Sequence, residues 1–162
     1  MGRADDIFDQ VRGGLGASAL ESGIEHGVLV FRVEAADVAG IAGQLKTEFG
    51  FDMFLDVTAV DWPERAPRFE VVYHFYSTRE HVRVRLKTRV PEADPTVDTL
   101  VPLYGSARYM ERECHEMYGI GFRGNDDLRP LLLYEGFTGH PLRKDYPKQR
   151  EQPLVPYLKK SL

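Results

Sequence analysis

The stretch from His81 to Val90 constrains the fold most, because its side chains alternate strictly between apolar and basic. In an extended chain the alternate residues point to opposite sides. One side then carries Val82, Val84, Leu86 and Val90, and the other carries Arg83, Arg85, Lys87 and Arg89. This pattern is typical of a strand that packs one face on a core and leaves the other in solvent.

The segments around this strand predict an α+β fold. Their apolar periodicity predicts a helix over 4–12, a strand over 28–33, a helix over 35–49, strands over 53–60 and 69–76, and a short helix from Val97 to Val101. Ser77 to Glu80 form a turn between two of the strands. We therefore expect a mostly antiparallel sheet with helices on one face, followed by an extended C-terminal tail.

Composition restricts the class of protein. A chain of 162 residues suits one domain and a tail, and its net charge of -4 argues against binding nucleic acid through bulk charge. A single cysteine excludes an intrachain disulfide. The acidic N-terminus does not match a signal peptide, and no apolar run approaches the ~20 residues of a spanning helix. We expect contact with a membrane only through partners.

A charged amphipathic helix is predicted from Ser106 to Gly119, with Ser106 as N-cap and Gly119 as the left-handed terminating residue. Its apolar stripe is formed by Met110, Cys114 and Met117. Helical spacing places Glu113 beside that stripe, where a carboxylate requires a partner. Arg112 and Glu116 are four residues apart on another face and are expected to pair.

The helix is followed by what we call the C-terminal strip, residues 121–147, which is apolar and punctuated by glycine and proline. His140 and Tyr146 precede prolines and are therefore expected to be extended. Such a strip must satisfy its backbone groups and bury its aromatic side chains, so we expect another chain to complete it. The tail beyond Pro147 has no periodic apolar face; it is expected to be disordered alone or to dock as an extended peptide.

Several of these motifs resemble those of the thirty-kilodalton subunit family of respiratory complex I. They are ERECHEMYGI (111–120), Arg129 with Leu131, PLRKDYP (141–147), DVTAVDWP (56–63) and RFEVVYH (68–74). The resemblance covers most of the chain from about Met53 to Pro147. Where the family usually has His or Lys followed by Pro, this chain has Asn125 and Asp126.

The resemblance implies a cofactor-free, peripheral-arm subunit of proton-translocating NADH:quinone oxidoreductase, without catalytic residues of its own. Its implied partners are the forty-nine-kilodalton-type subunit, which we call the large partner subunit, and other peripheral-arm subunits. These partners hold NADH, FMN, iron–sulfur clusters and quinone. The implied location is the cytoplasmic side of the bacterial inner membrane. Related subunits also occur in membrane-bound nickel–iron hydrogenases and other energy-converting complexes, which remain an alternative.

The same resemblance, together with the charge pattern, selects the candidate interface residues. They are Glu111, Arg112, Glu113, Glu116, Arg129, His140, Pro141, Arg143, Lys144, Asp145 and Tyr146. We expect the charged members to form charge-assisted contacts within these motifs or across the interface. The predicted division is an α+β domain over 1–120, then the strip and a partner-docking tail over 121–162.

Three other functions compete with ordinary structural roles of the same residues. A metal site near Cys114, His115, Glu111 and His140 is disfavoured because adjacent helical residues diverge by about 100° and an iron–sulfur cluster usually needs four protein ligands. Acid–base catalysis by Glu111, Glu113 and Glu116 competes with ordinary salt bridges. An RNA-binding module would use the basic row of residues 83–89 beside Tyr73, Phe75 and Tyr76.

Overall fold

The computed structural model describes residues 3–16, 18–147 and 149. Its helices are α1 (Arg3–Leu15), α2 (Val38–Thr47, preceded by a 3-10 turn at Ala35–Asp37) and α3 (Ala107–Tyr118). Its strands are β1 (Glu21–Glu25), β2 (Val28–Arg32), β3 (Met53–Asp61), β4 (Phe69–Ser77), β5 (Val82–Val90), β6 (Thr96–Asp98) and β7 (Gly121–Arg123). The prediction for the tail falls outside the described residues, apart from residue 149.

The main sheet has five strands in the order β1-β2-β5-β4-β3. Three of its four strand pairs are antiparallel, and only β2 and β5 run parallel. The prediction of an α+β fold with a mostly antiparallel sheet is therefore confirmed. A second sheet pairs β6 with β7 in parallel, so the first residues of the strip lie beside the strand that follows β5.

The structure confirms the alternation of apolar and basic side chains that predicted β5. Val82, Val84, Leu86 and Val90 are buried, whereas Arg83 and Arg89 are exposed. The register places Leu86 opposite both Phe31 and Tyr73, which are fully buried. The core thus lies on the face of the sheet that carries these residues, and the basic residues occupy the opposite face.

Two local predictions are wrong. The segment from Val97 to Val101 is not a helix, because Thr96–Asp98 pairs with β7 and the chain then turns at Leu100 and Leu103. Helix α1 also extends past the predicted end at residue 12, through Gly13 and Gly14 to Leu15. At Gly14 an added Cβ would overlap the ring of Phe49, so glycine there permits close packing of the helix rather than a break.

Helix α3 packs along β3 and buries Ala107, Glu111 and Cys114. Gly119 is left-handed, with φ of 75°, and its amide closes the helix on the His115 carbonyl, as predicted. Ser106 occupies the N-cap position, as predicted, but makes no capping hydrogen bond, because its hydroxyl lies 3.4 Å from the Phe54 carbonyl. None of the described helices is long and apolar enough to cross a bilayer.

Candidate docking surface on helix α3 and the strip

The C-terminal strip folds back on the last turn of α3 and satisfies three of its last four carbonyl groups, while the amide of Gly119 satisfies the fourth. The last four carbonyls of an α-helix have no partner within the helix. Here the donors are the amide of Gly119 for His115 (2.7 Å), Nδ1 of His140 for Glu116 (2.9 Å), the amide of Leu142 for Met117 (3.1 Å) and Nε of Arg143 for Tyr118 (2.6 Å). The guanidinium also places positive charge at the negative end of the helix dipole. Residues 140–147 therefore cap the C-terminal end of α3.

Gly119 makes this approach possible. A Cβ at this position would lie 2.5 Å from Nη2 of Arg143 and 2.6 Å from Nε2 of His140. The positive φ separately disfavours any residue with a side chain. The glycine thus serves both the helix end and the contact with the strip.

Glu116 holds a turn of the strip through its side chain. Glu116 is 7% exposed, and its carboxylate accepts hydrogen bonds from the amides of Leu131 (3.2 Å), Leu132 (3.0 Å) and Leu133 (2.7 Å). An ionised carboxylate has about four acceptor sites on its two oxygens, enough for three amide donors. The acid therefore fixes three consecutive residues of a segment that has no strand partner there.

Arg112 binds the same turn of the strip with a positively charged side chain. Its guanidinium donates to the carbonyls of Arg129 (2.9 Å) and Pro130 (2.7 Å). The predicted pairing of Arg112 with Glu116 is wrong, because each side chain bonds instead to backbone groups of the strip. The strip supplies partners that helical spacing alone does not reveal.

Glu111 is completely buried and ties α3 to two loops. Its carboxylate accepts hydrogen bonds from the Thr99 hydroxyl (2.6 Å), the Leu100 amide (2.7 Å) and the Asn125 side-chain amide (2.9 Å). None of these donors is a cation, and burial raises the pKa of Glu111 above its usual value. Asn125 is the position at which the resemblance led us to expect a basic residue.

Glu113 was expected to be the acid beside the apolar stripe, and this prediction is wrong. Glu113 is exposed, whereas Glu111 and Glu116 are the buried acids of α3. The error has a physical cause, since the faces that carry Glu111 and Glu116 are covered by the 99–100 loop and by the strip. A helical wheel treats such faces as solvated.

A second attachment lies at the end of the β3–β4 hairpin. The Asp61 carboxylate accepts two hydrogen bonds from Arg68, at 2.7 and 2.8 Å, and a third from the Lys144 amide at 2.7 Å. Hydrogen bonding to Arg68 lowers the pKa of Asp61 despite its burial. Sequence reasoning did not select Asp61 or Arg68 as site residues, although both lie in motifs that carried the resemblance.

The remaining candidates lie on the surface of the strip. Arg129 pairs with Asp127 through Nε (2.7 Å) and Nη2 (2.9 Å) and is otherwise exposed. Pro141 is half-buried, whereas Lys144 and Asp145 are exposed. The ring of Tyr146 stacks on Phe137 with centroids 6.1 Å apart. The structure thus brings Glu116, His140 and Arg143 together at the C-terminal end of α3. Glu111 binds the 99–100 loop instead, the Arg129 side chain binds Asp127, and Glu113 lies outside these contacts.

Four large apolar side chains of the strip point into solvent, and we call them the apolar patch. They are Leu131 (38% exposed), Leu132 (62%), Tyr134 (36%) and Leu142 (50%). The amides of three of them are fixed to α3, through Glu116 or the Met117 carbonyl. The strip is therefore positioned by its own helix, while its apolar side chains remain accessible to another chain.

The geometry does not favour a metal site or acid–base catalysis at these residues. Among residues 3–16, 18–147 and 149, no group of three or more His, Cys, Asp or Glu side chains could hold a metal ion. The His115 and His140 rings are 6.4 Å apart, and each presents Nδ1 to a backbone carbonyl. Cys114 is buried in the core, which raises the pKa of its thiol, and the carboxylates of Glu111 and Glu116 are engaged as described above.

The RNA-binding alternative loses two of its three stacking side chains, because only Tyr76, which lies opposite Arg83 and is half-buried, shares the basic face. Tyr73 and Phe75 are fully buried on the core face, opposite the basic residues. Within the basic row, Lys87 lies 2.7 Å and Arg85 3.8 Å from Glu25 of β1. The basic face is thus partly neutralised by the neighbouring strand.

Comparison with solved structures defines the class, a subunit fold found in respiratory complexes. The chain matches the trypsin-resistant fragment of Nqo5 with 28% identity and a TM-score of 0.64, covering 78% of this chain and 100% of that one. It also matches a chain of the membrane-bound sulfane sulfur reductase, an archaeal respiratory membrane complex, with 26% identity and a TM-score of 0.80, covering 91% and 88%.

The chain belongs to the family described as respiratory-chain NADH dehydrogenase, 30 Kd subunit, whose model matches residues 31–152. The expected family membership is therefore confirmed. Relatives named as the C subunit of NADH-quinone oxidoreductase include those of Methylorubrum populi, 41% identical over 86% of this chain, and Agrobacterium fabrum, 40% identical over 88%. The chain spans 64% of the length of the first and 72% of the second.

Proposed function

We propose that the chain acts as the C subunit of proton-translocating NADH-quinone oxidoreductase and supports electron transfer from NADH to quinone without performing chemistry itself. Family membership and the names of relatives about 40% identical support this function. In this proposal NADH, FMN, iron–sulfur clusters and quinone reside in partner subunits. The chain's own residues do not suit a cluster, since it has one cysteine and a cluster usually takes four protein ligands.

The proposed partner is the large partner subunit, and the proposed contact is the apolar patch. The observation that carries this proposal is the contrast between a fixed backbone and exposed apolar side chains at Leu131, Leu132 and Leu142. A preorganised surface loses little conformational entropy on binding. Through this contact the chain would be held at the cytoplasmic side of the bacterial inner membrane.

A charge placed in the patch tests the proposal. Leu132→Asp would bring a carboxylate into an apolar contact at a cost of several kcal/mol, so recovery of the large partner subunit with the chain should fall at least about tenfold. The measurement is quantitative mass spectrometry after purification from native membranes in mild detergent. Leu20→Asp is the matched control, because Leu20 is also 62% exposed but precedes β1. Equal recovery with both variants would refute the docking surface.

A second candidate is the equivalent subunit of a different energy-converting complex, such as a membrane-bound nickel–iron hydrogenase. This candidate is supported by the similarity in fold, with a TM-score of 0.80, to a chain of the sulfane sulfur reductase complex. The same purification separates the two functions. NADH-oxidising subunits in the recovered complex support the first, and nickel–iron hydrogenase subunits support the second.

A further inference from the structure

Two segments that are far apart in the sequence meet at Arg68. This residue precedes β4, and its side chain is 9% exposed. Besides its two hydrogen bonds to Asp61, Nη2 lies 3.0 Å from Oδ2 of Asp145 and Nη1 lies 2.5 Å from Oε1 of Glu92. We call these four residues the Arg68 cluster.

The cluster links the ends of β3, β4 and β5 through Asp61, Arg68 and Glu92, and it also joins the strip to the sheet. The Asp61 carboxylate accepts a hydrogen bond from the Lys144 amide, and the Asp145 carboxylate forms an ion pair with the Arg68 guanidinium. Two consecutive residues of the strip are therefore bound. Arg143, the preceding residue, donates to the Tyr118 carbonyl and lies over the ring of Phe69 at 4.9 Å. Arg143 thus attaches the strip to α3, and the next two residues attach it to the β3–β4 hairpin.

A buried ion pair contributes little net stability, because desolvation offsets most of the attraction between the charges. Its directional hydrogen bonds nevertheless specify one arrangement, and a guanidinium binds carboxylates with fixed geometry. The described strip beyond β7 contains no strand or helix. Its position therefore depends on side-chain contacts of this kind.

We propose that Arg68 is a positioning residue for docking, which binds Asp145 directly and orients Asp61, the acceptor of the Lys144 amide. Leu142 and the Phe137–Tyr146 stack thereby stay beside the end of α3. The role rests on the proposed function, because positioning matters only if the patch binds a partner. Arg68 does not itself touch that partner.

The test compares two carboxylates that bind the same guanidinium. Asp145 and Glu92 are similarly exposed, at 56% and 57%, but only Asp145 belongs to the strip. Asp145→Asn should accelerate deuterium exchange of the amides of residues 142–146 about fivefold, the factor expected for a partly exposed pair. Glu92→Gln should leave that exchange unchanged. Asp145→Glu keeps the charge and should restore most of the protection.

Exchange is measured on the isolated full-length chain, and recovery of the large partner subunit is measured on the same variants from membranes. Faster exchange and lower recovery with Asp145→Asn alone would support the role. Unchanged exchange would overturn it whatever the recovery. Faster exchange with normal recovery, while Leu132→Asp loses the partner, would also overturn it. If wild-type chain fails to recover the partner, the proposed function fails, and Arg68 loses its role in docking with it.

Discussion

At the scale of single residues, Glu111 links the buried face of α3 to the loop that carries Asn125. All three donors to its carboxylate are neutral, and burial raises its pKa above 4.5. A raised pKa means that the folded protein holds a proton which the unfolded chain has already released. Stability therefore falls as the pH rises from 4.5 through the folded pKa.

A cation at position 125 should reverse this dependence. In Asn125→Lys an ammonium group can approach the carboxylate and lower the pKa of Glu111, whereas Asn125→Gln supplies a neutral amide of similar reach. We expect the Lys variant to be more stable than the Gln variant by about 1 kcal/mol near neutral pH. This difference should shrink as the pH falls through the folded pKa of Glu111 in the Gln variant and then in the Lys variant. Urea unfolding of both variants at several pH values measures this difference in the free energy of unfolding. A constant difference across the pH range would show that Glu111 does not sense the added charge.

At the scale of elements, α3 organises the strip through opposite charges on neighbouring turns. Arg112 binds two carbonyls and Glu116 binds three amides of the same turn, residues 129–133. The helix thus provides hydrogen-bond partners that a neighbouring strand would otherwise supply. Removing either charge should loosen the turn without removing the helix.

Glu116→Gln tests this on one side chain. The amide retains one acceptor oxygen where the carboxylate has two, so at least one of the three strip amides loses its partner, at a cost of about 1 to 3 kcal/mol. Glu113→Gln makes the same chemical change on an exposed residue of the same helix and should stay within about 0.5 kcal/mol of wild type. Thermal or urea unfolding distinguishes the two variants. Equal losses would mean that the turn at 131–133 does not depend on Glu116.

The elements that sequence reasoning predicted well are those whose own periodicity specifies them. Strand β5 alternates strictly, and α2 repeats its apolar residues at helical spacing, so burial follows from local order. Strand β1 was missed, because Gly23 and two glutamates give it no alternating apolar pattern. Val97 and Leu100 suggested a helix, but pairing with β7 decides their conformation.

The candidate site was less predictable for the same reason. Its contacts join side chains to backbone groups that are distant in the sequence. Leu100 is 11 residues from Glu111, Leu131 is 15 residues from Glu116, and Lys144 is 83 residues from Asp61. Neither spacing nor charge order encodes such a contact in one sequence. The motifs selected the candidate residues, and the structure shows that most of them bind their own chain.

At the scale of the whole molecule, the sheet and the strip are held by different forces. The sheet is stabilised by an apolar core and continuous ladders, with Tyr73, Phe75 and Leu86 fully buried. Beyond β7, the strip is attached to α3 and to the β3–β4 hairpin by individual hydrogen bonds. Local opening free energies follow such differences, because segments with few buried apolar contacts open first.

Deuterium exchange on the isolated full-length chain should therefore give three levels of protection. Amides of β4 and β5 should exchange slowest, near the rate of global unfolding. The amides of Leu131, Leu132, Leu133, Leu142 and Lys144 should exchange faster than these, yet at least about tenfold slower than an unstructured peptide, because each donates to α3 or Asp61. Binding of the large partner subunit should then slow them further. Exchange at the unstructured rate before binding would mean that the partner, rather than α3, gives the strip its shape.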